Sequence, residues 1–228
     1  MGETIRSVLM VHGGGGGGWE WAVWRGVFET PQLRVETPDL QPAPGGLALT
    51  GFDDYLAQVR AGLERLPRPR AVVGASLGGL LAAACADAAD ALVMVNPLPP
   101  APWHAQLPGR DWPDVVPWQR DARLTGTRRA LPDADEATAL FAFRNWRDES
   151  GLAMREAYAG IELERPECRL LCIASMVDDD VPPALTAALA RDWGGSLLQA
   201  QAVSHVGPLL GRGAAGCAAQ ALAWLSAG

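Results

Sequence analysis

The chain has 228 residues, of which 49% are hydrophobic, and a formal net charge of −7. This length and apolar content predict one globular domain with a full-sized core and room for an inserted subdomain, and the acidic balance argues against a nucleic-acid partner. All 19 basic residues are arginine, which excludes lysine Schiff bases, covalently held pyridoxal phosphate, Walker-type phosphate loops and the Tyr–Lys pair of short-chain dehydrogenases.

The sequence also argues against a membrane span, a signal peptide, and a metal site or disulfide framework built from cysteines. Arg, Asp, Gly or Pro interrupts every apolar run before it reaches membrane-spanning length, and the first residues lack the plan of a signal peptide, so we expect a cytoplasmic protein. The cysteines show neither metal-ligand spacing nor disulfide density, and we expect buried thiols at Cys85, Cys168, Cys172 and Cys217. The sequence predicts no cofactor and no metal, and it leaves the oligomeric state open.

The first predicted strand, Ser7 to His12, runs into six successive glycines, Gly13 to Gly18, and a helix is predicted from Trp19 to Phe28. Such a run lets the backbone approach another group closely. In one interpretation the N–H of Gly14 stabilises an oxyanion and His12 braces the loop. In a second the run is a dinucleotide-binding loop with Glu36 as the ribose-binding acid, and in a third it is a flexible surface loop.

Strand and helix patterns then alternate as far as Val95, which predicts a parallel sheet with helices on its faces. The predicted elements are a strand at Leu33–Glu36, a helix at Phe52–Leu66, a strand at Arg70–Gly74, a helix from Leu77 to about Asp87 and a strand at Ala91–Val95.

The turn that carries Ser76 lies between the strand at Arg70–Gly74 and the helix that follows it. A serine at such a turn needs a strained backbone, and the glycines at 74, 78 and 79 remove the side chains that would collide there. The N–H of Leu77, at the helix N-terminus, can then face an oxyanion. The alternative interpretation is an ordinary turn with an N-capping serine.

From Pro97 to about Arg165 the chain is rich in proline and tryptophan, with helices predicted near Ala134–Trp146 and Ser150–Ala159 and no strand. We interpret residues 97–165 as a helical cap inserted into a core formed by residues 1–96 and 166–228. The cap tryptophans are candidates for an apolar substrate pocket, or alternatively pack the cap onto the core; they are Trp103, Trp112, Trp118 and Trp146.

The alternation resumes after the cap, with strands at Arg169–Ala174 and Ser196–Ala202 and helices at Pro183–Trp193 and Ala214–Ser226. Asp178 and His205 each follow one of these strands, as Ser76 follows an earlier one. Because ligands bind beyond the carboxyl ends of parallel strands, these side chains are expected to meet as nucleophile, acid and base. Asp179 and Asp180 are alternatives for the acid, and the three acids are otherwise a solvated loop or a weak cation site.

These motifs resemble those of α/β-hydrolase-fold serine hydrolases, in particular the compact branch of plant methyl esterases and hydroxynitrile lyases. The matching residues are Val11-His12-Gly13-Gly14 with Trp19-Glu20-Trp21, Gly74-Ala75-Ser76-Leu77-Gly78, Asp178 with Val181-Pro182, and Ser204-His205. The resemblance implies a triad of Ser76, Asp178 and His205, with the N–H groups of Gly14 and Leu77 as the oxyanion hole. Two departures are a sheet shortened to about six strands, and Ser175 where the family has glycine.

The function expected from these features is cleavage of a small carboxylic ester or thioester through an acyl-Ser76 intermediate. Two alternatives use the same fold: a lyase or carbon–carbon hydrolase that employs the triad on a non-ester substrate, and a non-catalytic ligand-binding module. A dinucleotide-dependent oxidoreductase is the remaining hypothesis.

Overall fold

The computed structural model describes residues 4–227, and its centre is a six-stranded sheet in which every neighbouring pair of strands is parallel. The strands of this sheet are β1 (Ser7–Val11), β2 (Arg34–Glu36), β3 (Arg70–Ala75), β4 (Ala91–Val95), β7 (Arg169–Ser175) and β8 (Ser196–Ala200). Their spatial order is β2-β1-β3-β4-β7-β8. The prediction of a six-stranded parallel sheet is therefore confirmed.

Three of the four interior strands, β1, β3 and β4, are buried at every residue, as expected for strands covered on both faces. Alternate side chains enter two separate cores. Leu9, Val72 and Leu92 belong to the core on one face. Val8 and Val73, one residue away along their strands, belong to the core on the other face.

Helices cover both faces of the sheet. In chain order they are α1 (Ala22–Phe28), α2 (Phe52–Glu64), α3 (Leu77–Ala84), α4 (Leu124–Ala130), α5 (Glu136–Asn145), α6 (Gly151–Ala159), α7 (Pro183–Asp192), α8 (Gly207–Leu210) and α9 (Ala214–Ser226). Buried residues of α2, α3 and α7 share one core, and those of α1 and α9 share the other. The start of the predicted helix at Trp19 is instead a 3-10 turn, Gly18–Trp21.

Residues 97–165 contain the two predicted helices as α5 and α6, but the expectation of no strand there was wrong. Two short strands, β5 (Val115–Val116) and β6 (Glu149–Ser150), pair antiparallel. The sequence also did not predict α4. Two-residue strands are too short to show any periodicity, and α4 contains a glycine within a seven-residue helix that lacks a side-chain cap.

The four cysteines are unpaired, and three of them are buried, while Cys168 is partly exposed. Burial raises the pKa of the Cys85 thiol to about 12, so this thiol is protonated at neutral pH. Within residues 4–227, no helix combines the length and the apolar character needed to cross a bilayer.

The topology determines where the loops meet. Since all six strands are parallel, the segments that follow β1, β3, β7 and β8 leave the sheet at the same edge. These segments carry the glycine loop (residues 13–18), Ser76, Asp178 and His205.

Candidate active site

Ser76 lies between β3 and α3 with a backbone φ of 51° and ψ of −121°. A positive φ is strained for a residue with a side chain, so this conformation needs support from its surroundings. The Ser76 N–H donates to the carbonyl of Val95 at 3.0 Å, and the Ser76 carbonyl accepts from the N–H of Leu98 at 3.0 Å. The turn is thus fastened to β4 and to the segment that follows it.

The glycines around Ser76 are required by close backbone packing. A Cβ on Gly74 would lie 2.0 Å from the carbonyl oxygen of Gly78, and a Cβ on Gly78 would lie 2.3 Å from the carbonyl oxygens of Val11 and His12. Rigid backbone atoms cannot move aside for such contacts. The first turn of α3 can therefore cross directly over the ends of β1 and β3, which brings Ser76 to the edge of the sheet.

Asp178 and His205 form a hydrogen-bonded pair. His205 Nδ1 lies 2.7 Å from Asp178 Oδ2, and Asp178 Oδ1 accepts from the N–H groups of Asp180 at 2.8 Å and Val181 at 2.9 Å. Burial disfavours the charged imidazole, but the hydrogen bond and charge of Asp178 outweigh it, and the pKa of His205 is raised above its ordinary value. The carboxylate thereby orients the ring and favours its charged form.

The neighbouring acids have other positions. Asp179 is exposed, and Asp180 forms an ion pair with Arg110. Possible metal-ligand atoms of Asp178, Asp180 and His205 lie within 4.8 Å of one another. Within this group, Asp178 and His205 are hydrogen-bonded to each other. Of the three successive aspartates, Asp178 is the one in contact with the imidazole.

The glycine loop passes beside Ser76, since a Cβ on Gly13 would lie 3.1 Å from Ser76 Cβ. His12 braces the loop as expected: its Nδ1 is 2.8 Å from the Gly13 carbonyl, and its Nε2 accepts the Leu40 N–H at 2.9 Å. Burial lowers the pKa of His12, and a neutral ring that donates through Nδ1 fits both contacts.

The candidate oxyanion donors are the N–H groups of Gly14, in the glycine loop, and Leu77, which follows Ser76 in the chain. Neither N–H donates a hydrogen bond to any of the residues that the structure describes. Leu77 is the first residue of α3, where backbone donors have no partner within the helix. Both donors are free to bind an anion or a developing oxyanion.

Ser76 and His205 line one cavity of about 770 Å³. Within residues 4–227, Ser76 Oγ makes no hydrogen bond, although Ser76 and His205 both line the cavity wall. In unliganded sites the distance between a nucleophile and its base is often long, and it shortens in the substrate complex.

Three of the four cap tryptophans, Trp112, Trp118 and Trp146, line this cavity. Trp103 does not, which corrects its expected placement: its ring packs edge-to-face on Trp193, with ring centroids 5.9 Å apart. Trp103 follows β4 closely and is drawn onto the core near α7, whereas the other three lie further along the cap.

Several polar residues of the site carried no sequence motif. Asn96 accepts the Ser175 N–H at 2.9 Å and donates to Ser175 Oγ at 2.8 Å and to the His205 carbonyl at 2.6 Å. Ser175 Oγ donates to the Ser204 carbonyl at 2.8 Å, which accounts for a serine at the position where glycine was expected. The only available signal for Asn96 was its place directly after a strand.

The cap also contributes to the site. Asp133 accepts the hydroxyl of Ser204 at 2.9 Å and the N–H of Val203 at 3.1 Å. Glu149 accepts the N–H of Gly15 at 2.9 Å. The acids at positions 133 and 149 had no local pattern that could have indicated contacts with the glycine loop or with the segment at residues 203–204.

The family model described as "Alpha/beta hydrolase family" matches residues 8–220. The chain belongs to the α/β-hydrolase family. A search of curated proteins found no sequence match.

Solved structures show how closely this α/β-hydrolase follows the fold of compact esterases. It is similar to polyneuridine aldehyde esterase, with 15% identity, a TM-score of 0.76, and coverage of 97% of this chain and 99% of the other. It is similar to a methylesterase, MES16, from Arabidopsis, with 14% identity, a TM-score of 0.71, and coverage of 97% of both chains. It is also similar to a pyrethroid hydrolase from Sphingobium faniae JZ-2, with 20% identity, a TM-score of 0.74, and coverage of 98% of both chains.

Proposed function

We propose that this α/β-hydrolase is a serine hydrolase that cleaves a small carboxylic ester or thioester through an acyl-Ser76 intermediate. The observation that carries the proposal is the 2.7 Å contact between His205 and Asp178, in the cavity that Ser76 also lines. A serine hydroxyl is a weak nucleophile at neutral pH and needs a base that is oriented by an acid.

In the proposed mechanism, Ser76 Oγ attacks the carbonyl carbon while His205 Nε2 takes its proton, since Nδ1 is engaged by Asp178. The tetrahedral oxyanion accepts hydrogen bonds from the N–H groups of Gly14 and Leu77. Its collapse expels the alcohol or thiol, which takes the proton from His205, and leaves the acyl enzyme. Water then attacks the acyl carbon and gives a proton to His205, which passes it to Ser76 Oγ as the acyl–oxygen bond breaks and the acid leaves.

The substrate class follows from the cavity wall. The indole rings of Trp112, Trp118 and Trp146 face a space of about 770 Å³, which suits an apolar or aromatic acyl or alcohol group. We propose that residues 97–165 act as the cap that selects this group. The similar solved structures include two esterases and a pyrethroid hydrolase by name, which supports ester chemistry.

Covalent labelling tests the mechanism. Wild-type protein and Ser76→Ala are exposed to a fluorophosphonate probe and analysed by intact mass, with Ser226→Ala as a matched control on the outer end of α9. Turnover of p-nitrophenyl acetate and butyrate is measured on the same samples. We expect one adduct and ester turnover in the wild type and the control, and neither in Ser76→Ala.

The absence of both adduct and turnover in the wild type would overturn the proposal and favour a binding module. An adduct on Ser76 without turnover of any short ester or thioester would also reject ester cleavage. That result would favour the lyase or carbon–carbon hydrolase alternative, which uses the same activated serine.

A further inference from the structure

Two buried carboxyl groups hold the glycine loop on either side of Gly14. The N–H of Gly13 donates to Glu20 Oε2 at 3.3 Å, and the N–H of Gly15 donates to Glu149 Oε2 at 2.9 Å. The intervening Gly14 N–H donates to none of residues 4–227. The loop is therefore anchored at two successive sites, and the donor between them is left free.

Glu20 is enclosed by the loop that it anchors. Its exposed fraction is 3%, and a Cβ on Gly16 would lie 2.1 Å from Glu20 Oε2. The backbone at Gly16 can pass the carboxyl only because glycine has no side chain. Glu20 also lines the cavity, so part of the glycine run is shaped around an acid that faces the reaction space.

Glu149 reaches the loop from the cap. It is 4% exposed, and its other oxygen, Oε1, accepts the Tyr55 hydroxyl at 2.6 Å and the Ser150 N–H at 2.7 Å. The Arg147 N–H also donates to the Gly15 carbonyl at 2.8 Å. Both the N–H and the carbonyl of Gly15 are therefore hydrogen-bonded to this segment. Both oxygens of Glu149 are thus occupied as acceptors.

We propose that Glu20 and Glu149 are positioning residues that hold Gly13 and Gly15 so that the Gly14 N–H points at the oxyanion. This inference rests on the proposed serine-hydrolase function. Glycine has the largest conformational freedom of any residue, and an oxyanion donor is effective only when it is preorganised. A loop of six glycines needs external anchors to present one N–H in a fixed direction.

The charge of Glu20 matters for this role, because Glu20 borders the cavity. An anion at Glu20 would oppose the negative charge that develops on the substrate. Burial raises the pKa of Glu20 to about 8, against the opposing influence of its hydrogen bond from Gly13 and of His205. The titratable groups that face it are His205 and Glu149. We therefore expect the Glu20 carboxyl to be mostly protonated at neutral pH and to ionise as the pH rises through about 8.

The experiment compares the wild type with four variants, Glu20→Ala, Glu20→Gln, Glu149→Ala and Glu149→Gln. The control is Glu29→Gln, at an exposed residue directly after α1. For each variant, kcat and KM for p-nitrophenyl acetate are measured across the pH range, together with inhibition by a trifluoromethyl ketone. This inhibitor forms a tetrahedral oxyanion on an activated serine and so reports on the Gly14 donor.

We expect Glu20→Ala and Glu149→Ala to lower kcat about tenfold or more with little change in KM, since the donor acts in the transition state. The inhibition constant of the ketone should rise by a similar factor. Glu20→Gln should recover most of the loss and should abolish the decline in kcat above about pH 8. Glu149→Gln should not recover, because the backbone N–H groups of Gly15 and Ser150 donate to different oxygens of Glu149 and an amide has an oxygen at only one of these two positions.

The inference is overturned if kcat and the ketone constant of Glu20→Ala and Glu149→Ala stay within about twofold of the wild type. If the alanine variants do not fold, the pH profiles test the inference. It is then overturned if the decline in kcat at alkaline pH is the same in Glu20→Gln, Glu29→Gln and the wild type. Failure of the proposed function has a different signature, because the wild type itself would then neither turn over the ester nor bind the ketone.

Discussion

The side-chain amide of Asn96 donates a 2.6 Å hydrogen bond to the backbone carbonyl of His205. Asn96 has a φ of 41°, a conformation that asparagine tolerates better than most residues. The same amide group exchanges hydrogen bonds with Ser175 at the end of β7. One side chain that follows β4 therefore joins the strand that leads to Asp178 and the loop that carries His205.

Asn96→Asp is expected to loosen this junction, because a carboxylate can accept from Ser175 but cannot donate to the His205 carbonyl. We expect kcat to fall about tenfold and the free energy of unfolding to fall by about 1–3 kcal/mol. Ester kinetics and urea denaturation measure the two effects. Asn145→Asp, at the partly buried last residue of α5, whose amide donates only to the Phe141 carbonyl within residues 4–227, is the matched control. If Asn96→Asp behaves like this control, the junction does not position His205.

The acid assignment can be tested by single substitutions along the aspartate run. Asp178→Asn should lower kcat by about 10³–10⁴-fold, since the wrong imidazole tautomer is then favoured. Asp179→Asn should change kcat less than about threefold, because its side chain is exposed and the His205 imidazole is paired with Asp178 instead. Steady-state kinetics on one ester compares them. Equal losses in both variants would contradict the assignment of Asp178.

The pH dependence of kcat/KM should have an acidic limb set by His205. A protonated imidazole cannot accept the serine proton, so kcat/KM falls as the pH decreases through the pKa of His205, which is raised above 6.5. In Asp178→Asn the residual activity should show this limb at lower pH, because burial then acts without the opposing carboxylate. A limb that does not move would show that Asp178 has no influence on the base.

Close packing at Gly78 makes a stability prediction that is independent of function. Gly78→Ala places a Cβ 2.3 Å from two carbonyl oxygens, and we expect a loss of at least about 3 kcal/mol in the free energy of unfolding or no folding at all. Gly216→Ala, in α9, meets no atom within 4 Å and should stabilise the protein by about 0.5–1 kcal/mol. Urea denaturation compares the pair. Similar stability in both variants would contradict the observed contact of α3 with β1.

The core of the fold could be predicted because its signals are local. β1, β3 and β4 are short apolar runs that end at glycine, serine or Asn-Pro, and α9 was predicted with its observed bounds, Ala214–Ser226. The turn at Ser76 was indicated by its small residues. Each of these features arises from adjacent residues, whose backbone preferences and apolar periodicity do not depend on the rest of the chain.

The sequence by itself determined the class of fold, the order of the strands along the chain and the three residue types at their carboxyl ends. Only the tertiary structure decided which acid meets His205, that Trp103 lies away from the cavity, and that Asn96 and Glu149 are hydrogen-bonded to His205 and Gly15. The contact between Glu149 and Gly15 joins residues 134 positions apart. Such contacts are formed by the folded arrangement of the strands and the cap, and no local pattern of residues encodes them.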